Sequence, residues 1–337
     1  MFKSPHQRNL IAVEFGSNSL RLLQLAGNTA QPVVQAAHAI SGVHWNSQQT
    51  NVDEGTVRRL RDALRGGGFT GRACALALPS KSVLTECIEV PTLSNDELKE
   101  TVSWTAVDRL GNDRSEIVAG HVPIRTGTLG APRSEVLLIA ARRAAVNKAM
   151  GLLAAAGLEP RRAELGAMAS LRMAWNHVKA PAPGTTFAFL NLESDHASLA
   201  VLNHYGLLFH RAFAWESSAD INPGAIPMAG SEDESHAWRW RQMAEEMLLC
   251  LRHVERRAGG AWPQYMLLSG ALADEPGVAT AIRSVCGAET RLLQNEQIVD
   301  WSKVTRPAGP LTAWSTAVAV ALPCETLAAP QKERRVA

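Results

Sequence analysis

The chain has 337 residues, 46% hydrophobic and 20% charged, which is the composition of a folded globular protein with room for two domains or one large α/β unit. A formal net charge of +2 argues against a general nucleic-acid binder, and five scattered cysteines without a Cys-x-x-Cys pair argue against a zinc site or a disulfide framework. The polar start MFKSPHQRN has no apolar signal core and the apolar run 311–322 is too short to span a bilayer, so the expectation is a cytoplasmic protein that meets a membrane only through a partner.

The opening apolar run at 10–13 reads as a buried strand. Gly16, Ser17, Asn18 and Ser19 are turn formers, and residues 20–25 resume an apolar run, which together predict a β-hairpin. Small residues at its tip let consecutive backbone N–H groups converge on one anion. Residues 33–40 supply a third strand. Residues 52–64 have helical spacing and end at Gly66-Gly67-Gly68, which run into Phe69 rather than Lys-Ser/Thr, so these glycines stop a helix and are not a P-loop. Strands are expected at 73–78 and 83–90, parted by Pro79-Ser80-Lys81. Ser94 and Glu97 have capping-box spacing and open a helix over 96–110, with Leu98, Val102, Thr105 or Ala106, and Leu110 facing inward and Trp104 on a flank.

Two further strands, 116–124 and 135–141, flank a Gly/Pro-rich turn at 126–132, and a helix at 144–156 closes at Gly157. A helix at 164–175 leads to a Pro/Gly linker at 179–184, the best domain boundary. Strands at 186–191, 197–202 and 207–213 repeat the plan of the first three. Residues 217–235 read as a polar loop, and 238–257 as a long helix whose stripe of Met243, Met247, Leu251 and Val254 is core in character. A short strand at 265–268, helices at 276–285 and 314–322 and a charged tail complete the chain.

The run Glu14-x-Gly16-Ser17-Asn18-Ser19-x-Arg21 resembles the first phosphate-binding hairpin of actin-like ATPases, in particular that of the PilM family of type IV pilus assembly proteins, Asp-x-Gly-Ser-x-Ser-x-Lys. Leu78-Pro79, Val90-Pro91, the capped acidic helix with its Trp, the run VLLIAAR at 136–142, and Leu153-x-x-x-Gly157-Leu158-x-Pro160 are similar to landmarks of the same family. The resemblance implies an α/β, actin-like (ribonuclease-H-like) two-domain fold with an inserted α+β subdomain. Residues 1–45 and 158–183 would form the first domain, 46–157 the insertion, 184–325 the second domain and 326–337 a flexible tail. It further implies a scaffold at an inner-membrane platform that binds the short N-terminal cytoplasmic tail of a PilN-like membrane protein, with pilus motor ATPases as further partners. Relatives of the GspL type continue into a transmembrane helix, whereas the MshI type is as compatible with this chain as PilM itself.

In that plan ATP and magnesium would sit between the halves, each half giving one hairpin and an acid. The second hairpin is expected to read Asp-x-Gly followed by small hydroxyl residues. Aligned without a gap, the acid falls on Asn191 and the glycine on Glu193, followed by Ser194. An amide is a weaker magnesium partner than a carboxylate. A glutamate at the glycine position repels a phosphate by roughly 4 kcal/mol for unit charges ~4 Å apart at an effective dielectric of 20. The expected Gly-Gly-Gly adenosine turn keeps only Gly270, with Leu272 close by.

The candidate binding residues are therefore Glu14, Gly16, Ser17, Asn18, Ser19, Arg21, Asn191, Glu193, Ser194 and Gly270, with no catalytic residue and no protein-held metal. The expectation is a scaffold with weak or absent nucleotide binding. The alternative, an active actin-like ATPase or small-molecule kinase, needs Glu14 to take the magnesium role and Glu193 to point away. Asp195-His196 lies in no Gly-x-Ser-x-Gly elbow, and Trp238-Arg239-Trp240-Arg241 reads as a packed helix end rather than a nucleic-acid platform.

Overall fold

The computed structural model describes residues 9–27, 31–43, 45, 53–111, 113–124, 133–177, 182, 184–194, 196–214 and 232–323. The expected turn at 126–132, most of the linker at 179–184, residues 217–231 of the expected loop, Asp195, Cys324 and the tail lie outside them.

Two five-stranded sheets share one plan. In the first, β1 (Ile11–Phe15) pairs antiparallel with β2 (Ser19–Ala26), and β2 with β3 (Val33–Ser41). On the other side of β1 lie β4 (Ala73–Leu78) and β8 (Glu159–Leu165), both parallel to it, giving the order β3-β2-β1-β4-β8. The second sheet repeats this as β11-β10-β9-β12-β13, from β9 (Thr186–Leu192), β10 (His196–Asn203), β11 (Gly206–Ala214), β12 (Tyr265–Ser269) and β13 (Glu289–Leu292). Strands β1 and β9 are buried along their whole length because helices cover both faces of each sheet, which is why they read as unbroken apolar runs.

The helices α4 (Gly166–His177) and α7 (Ser315–Ala321) lie between the sheets, with Leu171, Trp314 and Val318 packed against Ala12 and Leu23 of one sheet and Phe187 and Phe189 of the other. Helices α1 (Glu54–Gly66) and α3 (Arg143–Ala155) cover the outer face of the first sheet, and α5 (Glu232–Arg257) and α6 (Val278–Cys286) that of the second. The side chain of Asp53 caps α1 by accepting from the N–H groups of Gly55 and Thr56, and Val57, Leu60 and Ala63 are its buried face.

A third sheet, β5-β7-β6, is built from β5 (Val83–Pro91), β6 (Ile117–Ile124) and β7 (Arg133–Arg142), with α2 (Asn95–Leu110) on one face. The expected capping box is complete, since Ser94 Oγ accepts from the Glu97 N–H and the Glu97 side chain accepts from the Ser94 N–H. Val102 and Ala106 are buried, and Trp104 is 51% exposed. The other face of this sheet joins the central core through Ile124 and Leu137. It is also tied to the second half, where Arg257 at the end of α5 pairs with Glu89 and Glu135 and Cys87 Sγ donates to the carbonyl of His210 at 3.5 Å.

Three features differ from the sequence reading. Within the segment 46–157, expected as the insertion, α1 and α3 pack on the first sheet and β4 is one of its inner strands, so a separate sheet forms only from β5, β6 and β7. The run ACALAL at 73–78, expected as a strand within the insertion, is a buried parallel strand of the first sheet. Strand β8 was not expected, because Pro160, Arg161, Arg162 and Glu164 mask an edge strand whose partner β4 is far away in sequence, Ala73 pairing with Glu159, and the four-residue β13 is equally silent.

Candidate cleft site between the two halves

The turns that follow β1 and β9 are built alike. The Gly16 N–H donates to the Ser19 carbonyl at 2.8 Å, and the Glu193 N–H to the His196 carbonyl at 2.9 Å. Glu14 and Asn191 therefore hold the same position in the two halves, as do Gly16 and Glu193. The parallel neighbours agree, since Glu14 is level with Ala77 on β4 and Asn191 with Ser269 on β12.

Both turns face one cleft, lined by Glu14, Gly16, Ser80, Asn191, Glu193 and Thr316 among others. Glu14, Asn191 and Glu193 are 4%, 3% and 4% exposed. The space among the lining residues is about 20 Å³, room for a single water, whereas small-molecule sites span roughly 300–1,000 Å³.

The charge of the cleft is held locally. Glu14 and Arg21 stand opposite each other across the β1–β2 pair, and Arg21 Nη1 donates to Glu14 Oε1 at 3.2 Å with both side chains buried. The guanidinium lies over the turn, 3.1 Å from where a Cβ on Gly16 would stand. Burial pushes the Glu14 carboxyl up to about 7; Arg21 pulls it down, and the charge of Glu193 pushes it up again. The cleft thus brings two carboxyls from opposite halves within electrostatic reach of one arginine. Asn191 Oδ1 is buried without a hydrogen-bond partner among the described residues.

Gly270 sits at the end of β12 with φ +100°, and a Cβ there would fall 2.4 Å from the Leu192 carbonyl oxygen. Its N–H donates to the Thr312 carbonyl at 3.1 Å, and Leu272 N–H donates to the Leu192 carbonyl at 3.1 Å. The place a Cβ of this residue would take is therefore occupied by main chain of β9. Leu272 itself packs into the outer core of the second half.

Of the ten sequence candidates, Glu14, Gly16, Asn191 and Glu193 line the cleft. Arg21 joins them through its ion pair, and Gly270 serves the packing of β12 on β9. Asn18 is at the hairpin tip, where its carbonyl accepts from Gly42 N–H at 3.0 Å. Ser80, Gly166 and Thr316 were missed. A Cβ on Gly166 would meet Thr316 Cγ2 at 2.9 Å, so the only trace of this crossing of α4 and α7 in the sequence is a glycine at a helix start. Among the described residues no group of three or more His, Cys, Asp or Glu could hold a metal ion, and no helix is long and apolar enough to cross a membrane.

Two equivalent five-stranded halves closing on a cleft, with a small α+β unit inserted in the first, make this an α/β protein of the actin-like fold. The sequence matches the family described as type IV pilus assembly protein PilM over residues 12–217. The chain belongs to that family. Its structure is similar to that of a PilM–PilN type IV pilus biogenesis complex (TM-score 0.74, 18% identity, covering 94% of this chain and 98% of that one). It is also similar to the ethanolamine utilization protein EutJ of Carboxydothermus hydrogenoformans (TM-score 0.50, 14% identity, 96% and 91% covered). A third likeness is to the cytoplasmic domain of EpsL, an inner-membrane component of the Vibrio cholerae type II secretion system (TM-score 0.46, 11% identity, 93% and 94% covered). No curated protein matches the sequence.

Proposed function

We propose that this chain is a docking scaffold of a type IV pilus platform whose cleft no longer grips nucleotide. It binds the short N-terminal cytoplasmic tail of a PilN-like membrane protein as an extended peptide, in the groove between the first half and the inserted sheet, and so sits at the inner face of the membrane. Backbone hydrogen bonds hold such a peptide and pockets for alternate side chains select it. Through that link the scaffold couples the membrane complex to the pilus motor ATPases.

The observation that carries the reading is Glu193. It stands where the second half would need a glycine, buried in the cleft and acting electrostatically on Glu14. A phosphate entering there meets two acids, an arginine already paired and a space of water size. The residues present do not fit Mg-ATP, although the fold class is one that binds it.

Isothermal titration of the full chain tests both parts. Mg-ATP is expected to bind no tighter than about 1 mM, near −4 kcal/mol. A synthetic tail peptide from the membrane protein encoded beside this chain is expected to bind in the micromolar range. Tight Mg-ATP binding with turnover would establish the ATPase instead, and a folded chain that ignores the peptide would remove the pilus partner.

A further inference from the structure

We propose that the arginine-rich end of the first half, formed by α1, the start of β4 and the segment joining α3 to β8, lies against the anionic phospholipid headgroups of a bilayer. The proposal rests on the reading above, in which a membrane protein's tail holds the chain near that surface. It adds a direct contact where the sequence alone pointed to a partner only.

The near-neutral total charge hides a division. Residues 9–78 and 143–177 carry eleven bases and six acids, whereas residues 184–323 carry ten bases and fifteen acids. Within the first group the acids Glu14 and Glu164 are turned inward and paired with Arg21, Arg162 and Arg172. Setting these aside leaves eight bases against four acids on this half, four of the bases at one end.

Arg61, Arg72 and Arg161 gather near the C-terminus of α3. Arg61 Nη2 donates to the Ala155 carbonyl at 2.5 Å. Arg65 follows one turn later on the same exposed face of α1. Arg72 Nη2 lies 3.5 Å from where a Cβ on Gly157 would stand, and the Arg72 carbonyl accepts from the Glu159 N–H at 2.7 Å. Arg161 is exposed and pairs with Glu159, leaving Asp62 as the other acid of the cluster. The partial negative charge at the end of α3 favours this gathering of guanidinium groups. No side-chain hydrogen bond or ion pair involves Arg65 or Arg72 among the described residues, and both residues are exposed to solvent.

Lipid fits this surface better than nucleic acid does. A single-strand platform needs aromatic faces for stacking, but among the described residues the exposed aromatics Trp104, Tyr205 and Trp238 are on α2, the β10–β11 turn and α5. The exposed large apolar side chain on α3 is Met150, which suits a headgroup boundary. Each Lys or Arg held near an anionic leaflet is worth about fivefold in partition, and the attraction fades within a Debye length of ~8 Å at physiological salt.

The test is flotation of the full chain with vesicles of phosphatidylcholine and phosphatidylglycerol. Binding is expected to the mixed vesicles, not to pure phosphatidylcholine, and to disappear on adding salt. The double variant Arg65→Glu, Arg72→Glu is expected to lose at least roughly 30-fold in partition. It should keep the wild-type unfolding temperature and the wild-type affinity for the tail peptide. Equal partition of variant and wild type, binding to neutral vesicles, or displacement from vesicles by duplex DNA at equal phosphate would overturn the proposal. A chain that ignores the peptide yet floats in this charge-dependent way would retire the scaffold reading and leave the lipid contact standing.

Discussion

Neutralising Glu14 as Glu14→Gln is expected to change how stability depends on pH, and the structure fixes the sign. The Glu14 carboxyl is raised from 4.5 to about 7, first by burial and then by Glu193, against the pull of Arg21. A carboxyl raised in the folded state binds a proton there that the unfolded chain has already released. Its stabilisation is full below about pH 4.5 and is lost as pH rises to about 7, a change of about 3 kcal/mol for 2.5 units. The buried imidazole of His210 works in the other direction. Burial lowers it from 6.5 to about 4, so stability is lost as pH falls through that window, again by about 3 kcal/mol. The two effects oppose each other between about pH 4.5 and 6.5. Urea unfolding at a series of pH values separates them. The variant's stability minus that of wild type should climb by about 3 kcal/mol from pH 4.5 to 7 and then level off. A difference independent of pH would refute the electrostatic account of the cleft.

Four further outcomes follow from the same geometry. Glu193→Gly removes the side chain opposing Glu14 and is expected to tighten Mg-ATP ten- to a thousandfold in titration calorimetry, since a unit charge ~4 Å from a phosphate is worth up to about 4 kcal/mol; no gain would mean that the closed space, not the charge, excludes nucleotide. Gly270→Ala puts a Cβ 2.4 Å from the Leu192 carbonyl oxygen at φ +100° and should cost about 2–4 kcal/mol in thermal or urea unfolding. Arg257→Ala frees Glu89 and the largely buried Glu135 and should speed amide exchange in β5 and β7 up to about tenfold, with little change elsewhere. Ser94→Ala breaks the capping box of α2 and should cost about 1 kcal/mol, read from the urea midpoint.

What the sequence revealed was set by range. The hairpins β1–β2 and β9–β10, the capped helices α1 and α2, and the repeat of the three-strand meander all rest on contacts between near neighbours, and each is written in glycine, cap or apolar spacing. Strand β4 was found as a strand but assigned to the wrong unit, because nothing local tells an apolar strand whether it will pair with β1, some 60 residues earlier, or with the nearby β5. Strand β8 was hidden by its charges, two of which, Arg162 and Glu164, pair with each other and reach Arg172 and the carbonyl end of α7. In the cleft, the identity of Asn191 and Glu193 could be read from an ungapped alignment of the halves. The engagement of Arg21 with Glu14, and the covering of Gly270 by Leu192, depend on packing that no local pattern records.

The glycines of the two halves separate what the fold demands from what a ligand would demand. Glu193 makes the same turn hydrogen bond as Gly16, so that turn does not require glycine for its own geometry. A glycine there matters only if something must approach the backbone closely. At Gly270 the close approach is internal: the main chain of Leu192 occupies the place a Cβ would take, and this would hold with the cleft empty of any ligand. A cleft still shaped by phosphate would favour glycine at both hairpins. One that merely keeps its halves together would keep glycine at 270 and tolerate a side chain at 193. This chain has the second pattern, and its buried acids then act between the halves, with the single cation Arg21 among the described cleft residues holding Glu14. That is the physical ground for reading the cleft as a seam in a scaffold.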